Sequence, residues 1–155
     1  MSTGFHPLKI TEVRREIADA VSLRFDVPEE LVDAFRYTPG QHLTLRTDID
    51  GEDVRRNYSI CTAPHENELR VAIKQIMGGR FSSWANSALK AGQMLEVMPP
   101  HGSFTWNFDP AESRSYVGFA GGSGITPILA LLKTALSVEP QSRFILLYGN
   151  RSTAS

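Results

Sequence analysis

"YVGFAGGSGITPILALLKTALSV", residues 116–138, is where the chain changes its grammar. It opens as a β-rich run, passes through a cluster of glycines and continues as an apolar, helix-forming stretch. A second strand-like run, "RFILLYGN" (143–150), follows. Strand, glycine turn, helix and strand within about 35 residues make one βαβ unit. The turn, "GGSGITPI" (121–128), lacks the lysine and the GK[ST] ending of a P-loop and is not a strict G-x-G-x-x-G. Pro127 suits the first turn of a helix. At the end of the first strand of a βαβ unit, such a turn is placed to hold a dinucleotide; a tight helix-entry turn is the alternative. A parallel sheet needs both faces covered. Residues 109–155 therefore read as the start of an α/β nucleotide-binding domain, cut inside that domain.

Upstream, the pattern is of short strands separated by turns. "LKITEVRREI" (8–17) and "AVSLRFDVP" (20–28) are β-rich, and Asp50-Gly51 sits between "LTLRTDI" and "EDVRRNYSIC" as a hairpin signal. "ELRVAIKQI" (68–76) alternates Leu69, Val71 and Ile73 with Arg70, Ala72 and Lys74, as a half-buried strand does. Two short helices are expected, over "EELVDAF" (29–35) and "FSSWANSALK" (81–90). Closely spaced strands of this kind predict a small antiparallel β-barrel over 1–108.

Inside that barrel, "RRNYSI" (55–60) places two cations and a phenol together with no acid among them. A structural reading has solvent-facing arginines and a core tyrosine. A functional reading needs a ligand both anionic and planar: Arg56 meets phosphate with its forked donors, and Tyr58, on the same strand face, lies against a ring. Ser59 can reach that ring's polar edge. "GGRFSSWA" (78–85) is the second piece. Its glycines allow close backbone approach, a helix N-terminus offers free N–H groups, Arg80 adds charge and Ser82 a hydroxyl. A turn with a serine cap is the plainer alternative. One pyrophosphate can serve both pieces, and a flavin nucleotide has both a planar ring and phosphates.

The remaining composition narrows the field. The chain has 155 residues, 41% apolar and 21% charged, with a formal charge of −1. That balance suits a packed globular protein and argues against nucleic acid or a membrane surface as the main partner. The start, "MSTGFHPLKI", has no apolar signal core, so cytoplasmic location is the expectation. Cys61 is the single cysteine, which excludes four-cysteine iron–sulfur ligation within this chain and suggests a packed strand residue. His6, His42, His65 and His101 do not fall at metal spacing. "VAIK" (71–74) imitates the kinase lysine strand without the other kinase motifs.

Taken in order, "PGQ" (39–41), R-x-Y-S (56–59), G-x-x-S (79–82), P-x-G-x-F (100–104) and "GGSGITP" (121–127) resemble the ferredoxin–NADP reductase superfamily. The finer texture, in "PGQHLTL", "IKQIMGGRFS" and "LLYGNRS", is most similar to the reductase components of phenylacetyl-CoA ring-epoxidase systems. His42 and Ala85 depart from the commonest pattern, which has an aromatic and a leucine there. The resemblance implies an FAD-binding barrel followed by a nicotinamide domain, here incomplete, and a [2Fe–2S] domain lying in an absent C-terminal part. It implies that Arg56 pairs with the flavin pyrophosphate, that Tyr58 flanks the isoalloxazine and that Ser59 hydrogen-bonds near N5. Ile60 joins them; Ile73 and Lys74 line the ribityl or phosphate path, and Gly79, Arg80, Phe81 and Ser82 hold the pyrophosphate. Gly121, Gly122, Gly124 and Thr126 bring nicotinamide to flavin, with Tyr58, Ser59 and Thr126 as the catalytic set. The implied activity is an FAD-dependent NAD(P)H oxidoreductase passing electrons to a multicomponent oxygenase. A non-catalytic flavin-binding module, or an inactive fragment, is the alternative. The second strand ends without an acid and is followed by Arg151, Ser152 and Thr153, which favours NADPH over NADH.

Overall fold

A computed structural model describes residues 4–155. Six antiparallel strands carry the first part: β1 (His6–Ile17), β2 (Ala20–Asp26), β3 (His42–Ile49), β4 (Glu52–Ser59), β5 (Leu69–Lys74) and β6 (Met94–Val97). They run in the spatial order β4-β3-β6-β1-β2-β5. The β3–β4 hairpin closes on Asp50 and Gly51, both at positive φ (55° and 80°), which is what a two-residue Asp-Gly turn requires. The inward face of each strand supplies the core: Leu8, Ile10, Leu23, Leu43, Leu45 and Val97 are all completely buried. Each such side chain contributes about 1.5–3 kcal/mol of transfer free energy.

Three expectations are corrected here. The six strands do not close into a continuously laddered barrel. β4 and β5 are the two edges of the sheet and share no ladder. Just past β4 the backbone pairing with β5 is reduced to the Ile60–Val71 bridge and the Cys61 N–H to Arg70 carbonyl bond (3.0 Å), as the chain turns off into a 3-10 turn at Pro64–Glu66. The helix expected over 29–35 is a single 3-10 turn, Glu29–Leu31, with extended Pro28 before it. The helix expected over 81–90 is α1 (Arg80–Ser87) and stops short of Lys90. A fourth difference lies in β5, where Arg70 is buried rather than facing water. It stays charged because Glu12, Glu68 (3.2 Å) and the Ser22 hydroxyl (2.9 Å) surround it. Cys61 at the same corner is 9% exposed, its thiol donates to the Arg70 carbonyl, and burial pushes it up to about 11.

The second part holds two parallel strands, β7 (Ser115–Gly121) and β8 (Arg143–Gly149), joined by α2 (Ile125–Val138). These bounds lie within a residue or so of the sequence reading. Glycine at 118 lets α2 and β8 come close: a Cβ there would stand 2.7 Å from Phe144 and 3.0 Å from Ile128. Val117, Phe119, Ile145 and Leu147 on these strands are exposed. Buried Glu139 ties the segment entering this part, accepting from the Asp109 N–H (3.0 Å), the Tyr116 hydroxyl and the Ser142 hydroxyl (2.6 Å).

Candidate functional site

Where the end of β4, the start of α1 and the turn before α2 converge, a cleft of about 410 Å³ opens. Arg56, Tyr58, Ser59, Lys74, Gly79 and Ser82 line one side, and Gly124 and Thr126 the other. The three motifs thus meet in one place although more than sixty positions separate the first from the last. β4 explains how. Its residues face β3 partners in register, and Arg56 and Tyr58 stand opposite the buried Leu45 and Leu43; Tyr58 is half-buried, while Arg56, near the strand end, is exposed. Arg55 stands opposite Arg46 and turns the other way, onto Asp53 (2.6 Å) and towards the ring of Phe5. The two adjacent arginines are therefore divided between the two faces of the sheet.

Tyr58 packs on Phe81, their ring centroids 5.7 Å apart, and Phe81 in turn on Trp84 at 5.4 Å. Burial pushes the Tyr58 phenol up to about 12, against the opposing charge of Arg56, so the ring stays neutral. Beside it, α1 begins without a side-chain cap, and its first i→i+4 bond is that of the Ser83 N–H to Gly79. The amides before Ser83 therefore precede the helical ladder, at the positive end of the helix. Gly79 is held tightly: an added Cβ would lie 2.4 Å from both Ile76 Cγ1 and Ser82 Oγ. The Ser82 hydroxyl braces this turn, accepting from the Ile76 N–H (3.2 Å).

The turn 122–124 is a 3-10 turn leading directly into α2. Thr126 donates its hydroxyl back to the Ser123 carbonyl (3.1 Å), and the Tyr148 hydroxyl of β8 donates to the Gly122 carbonyl (3.1 Å). A second cleft, of about 800 Å³, adjoins the first through Lys74, Ile76 and Ser123 and reaches Gly121, Gly122 and Arg151. Not every expected residue lines these clefts with its side chain. Ile60 and Ile73 are fully buried in the core, since inward positions at these heights of the sheet pack against other apolar side chains. The Ile60 N–H donates to the Gln41 carbonyl (3.0 Å) and the Ile73 carbonyl accepts from Asn86 (3.0 Å), and neither residue lines the clefts. Arg80 is drawn to the β3–β4 hairpin, bonding Glu52 and the Ile49 carbonyl (3.0 Å), and does not line the cleft. Asn57, Ala72, Ile76, Ser123 and Pro127 line it as well, beyond the residues expected to bind; Ser123 and Pro127 lie within the "GGSGITP" motif, with no binding role expected of them. For Asn57 the signal is at hand, since it lies between Arg56 and Tyr58 at the strand end. Among the described residues no group of three or more His, Cys, Asp or Glu could hold a metal ion, and no helix is long and apolar enough to cross a membrane.

Comparison with known proteins gives the family. Residues 7–106 match the model of the oxidoreductase FAD-binding domain family. The chain is 47% identical to a component of the 1,2-phenylacetyl-CoA epoxidase of Escherichia coli strain K12, over 99% of this chain and 43% of that protein. It is 39% identical to the ferredoxin reductase component of 3-ketosteroid-9-alpha-monooxygenase of Rhodococcus rhodochrous, over 96% of this chain and 42% of that one. The chain thus spans less than half the length of these curated relatives. Among solved structures, phthalate dioxygenase reductase, described as modular for electron transfer from pyridine nucleotides to [2Fe–2S], superposes with a TM-score of 0.78 at 27% identity, covering 97% of this chain and 45% of that one. The ordered motifs, the six-stranded sheet and these likenesses agree: the chain belongs to the oxidoreductase FAD-binding domain family, of the ferredoxin reductase type.

Proposed function

We propose that the chain is the flavin-binding front of an FAD-dependent NAD(P)H oxidoreductase, with 1–108 as the FAD unit and 109–155 as the first βαβ unit of a nicotinamide domain. The observation that carries this reading is the single cleft shared by Arg56, Tyr58, the uncapped start of α1 and the turn before α2. The residues fit the cofactor. Arg56 offers a fork of donors and α1 offers free amides, two separate devices for two phosphates. Tyr58, neutral and backed by Phe81, presents a fixed ring to a planar partner. Ser59 and Lys74 line the same cleft, where the hydroxyl would meet the edge of the bound ring and the ammonium the phosphates. Thr126, held by its bond to Ser123, faces Tyr58 and Ser59 across the cleft, where a nicotinamide ring has to enter. The chain's own task is to bind, orient and exclude water, without an acid/base pair. Bound FAD supplies the exchange between a two-electron donor and one-electron acceptors.

The names of the relatives support the wider role: electron delivery, through a [2Fe–2S] centre carried elsewhere, to the oxygenase component of a multicomponent system, with phenylacetyl-CoA epoxidation as its reaction. Arg151, beside Gly121 and Gly122 in the adjoining cleft, supports NADPH as the donor. Absorbance of the purified protein, with mass analysis of flavin released by heat, tests the reading. FAD is expected; FMN alone, or no flavin after reconstitution, overturns it. Residues 4–155 loaded with FAD should bleach slowly with NADPH, since two strands and one helix leave little surface to position the second nucleotide.

A further inference from the structure

A third cleft, of about 420 Å³, runs between the sheet and α2, and at its rim one ion pair crosses from the first part of the chain to the second. Lys133 of α2 lies 2.6 Å from the Glu66 carboxylate. Among the described residues no other ion pair joins residues up to 108 with residues beyond. The pair lies at the surface and is partly shielded: the Lys133 and Glu66 side chains keep 28% and 33% of their exposure. The same Glu66 oxygen accepts the Ala63 N–H at 2.6 Å, so the carboxylate is fixed to its own backbone before it meets the lysine. Burial opposes its charge, but the bonds from Lys133 and Ala63 outweigh this and hold the carboxyl below its usual value.

The placement of the pair gives it a purpose beyond docking. Glu66 follows Ser59 by seven positions, and Lys133 follows Thr126 by seven. On α2, Thr126, Leu129 and Lys133 recur at helical spacing, and all three line this cleft. Two turns of helix, roughly 10 Å of rigid rod, connect the lysine to the threonine. On the other side, the segment 60–66 is pinned to β5 by the Cys61–Arg70 bond and to itself by the Glu66–Ala63 bond. We infer that Glu66 and Lys133 form a clasp that positions Thr126 and the glycine-rich turn over the Tyr58–Ser59 face of the flavin cleft. Neither residue touches that cleft, so both act as positioning residues. The inference rests on the proposed flavin reading for its consequence, but the clasp itself is measurable without flavin.

The test uses Glu66→Lys, Lys133→Glu and the double exchange in the full-length protein, with Glu66→Gln as a mild variant that keeps an acceptor for Ala63. In the flavin-free protein, amide exchange at 61–66 and 122–133 is expected to quicken in each single exchange and to return towards wild type in the double one. Unchanged exchange in the single variants overturns the clasp. In the FAD-loaded protein, single variants keep wild-type flavin affinity. Their flavin reduction at saturating NADPH slows roughly 3- to 10-fold, the size expected when a partly screened attraction becomes a repulsion, and the double exchange rescues it. Altered exchange with an unaltered reduction rate overturns the positioning role. Failure of the wild type to bind FAD would instead remove the flavin reading and leave the exchange result standing.

Discussion

At the turn 78–82, a Cβ on Gly79 would stand 2.4 Å from two neighbouring atoms, whereas at 121–124 a Cβ on Gly121 or Gly124 would meet nothing within 4 Å. Nor does backbone geometry demand these later glycines, since φ is −128° at Gly121 and −63° at Gly124. The first turn needs its glycine for the chain's own packing; the second leaves open room where a ligand's phosphate can approach. Glycine density reads the same in both stretches of sequence. The difference lies in what stands where the side chain would be.

The largest effect expected from breaking this contrast is that of Gly79→Ala. The added methyl forces Ile76 and Ser82 apart, an overpacking that costs about 1–3 kcal/mol and spoils the start of α1. A lowered melting temperature together with loss of flavin retention on gel filtration is the expected result; a variant that keeps both would show that the turn yields. Next comes Arg56→Ala, which removes a charge-assisted contact worth ~1.5–3 kcal/mol, or roughly 10- to 150-fold in flavin affinity by calorimetric titration. Arg55→Ala, whose partner is Asp53, should change that affinity by less than about 3-fold, in keeping with an exposed pair.

Gly124→Ala sharpens the contrast from the other side. Its backbone is already helical, so the fold should keep or gain stability, by about 0.4–1 kcal/mol in urea melts. Its affinity for NADPH should nevertheless fall about 10-fold, which is ~1.4 kcal/mol. Unchanged nucleotide affinity would mean that the open space is only space. The smallest effect concerns pH. With the Tyr58 phenol raised to about 12 by burial, the folded protein holds a proton between pH 10 and 12 that the unfolded chain has begun to release. Stability from this group is therefore complete below pH 10 and declines as pH rises through 12. Flavin affinity should be flat from pH 6 to about 10, and a phenolate titration at lower pH would contradict the packed Tyr58–Phe81 pair.

Local signals carry the reading of the fold where chemistry and geometry coincide. Asp50-Gly51 marks its own hairpin, and the apolar run 125–138 marks its own helix, because turn φ and helical periodicity are local properties. Strand β6 gives no such signal: "MLEV" is four residues long, and its place between β1 and β3 is set by non-local pairing. Arg70 shows the limit of alternation. Nothing in "LRVAIK" distinguishes a solvated arginine from one buried among Glu12, Glu68 and Ser22, because its partners lie on other strands or beyond the strand end. At the candidate site, Arg56, Tyr58 and Ser82 are legible as residue types suited to a phosphate and a ring. Arg80 is not, since its competing acids Asp50 and Glu52 come from a hairpin about thirty positions earlier. Ile60 and Ile73 sit in motifs that name a segment without saying which atoms of it face outward.

Cys61 has a practical consequence. Being the single thiol of the chain, lodged where β4 meets β5 and pushed up to about 11 by burial, it is held as the unreactive thiol while the fold is closed. An alkylating reagent therefore waits for that corner to open. The ratio of its modification rate in native and denatured protein gives the opening equilibrium of the seam directly, and following that rate while flavin is added turns a native residue into a gauge of how firmly the seam is zipped.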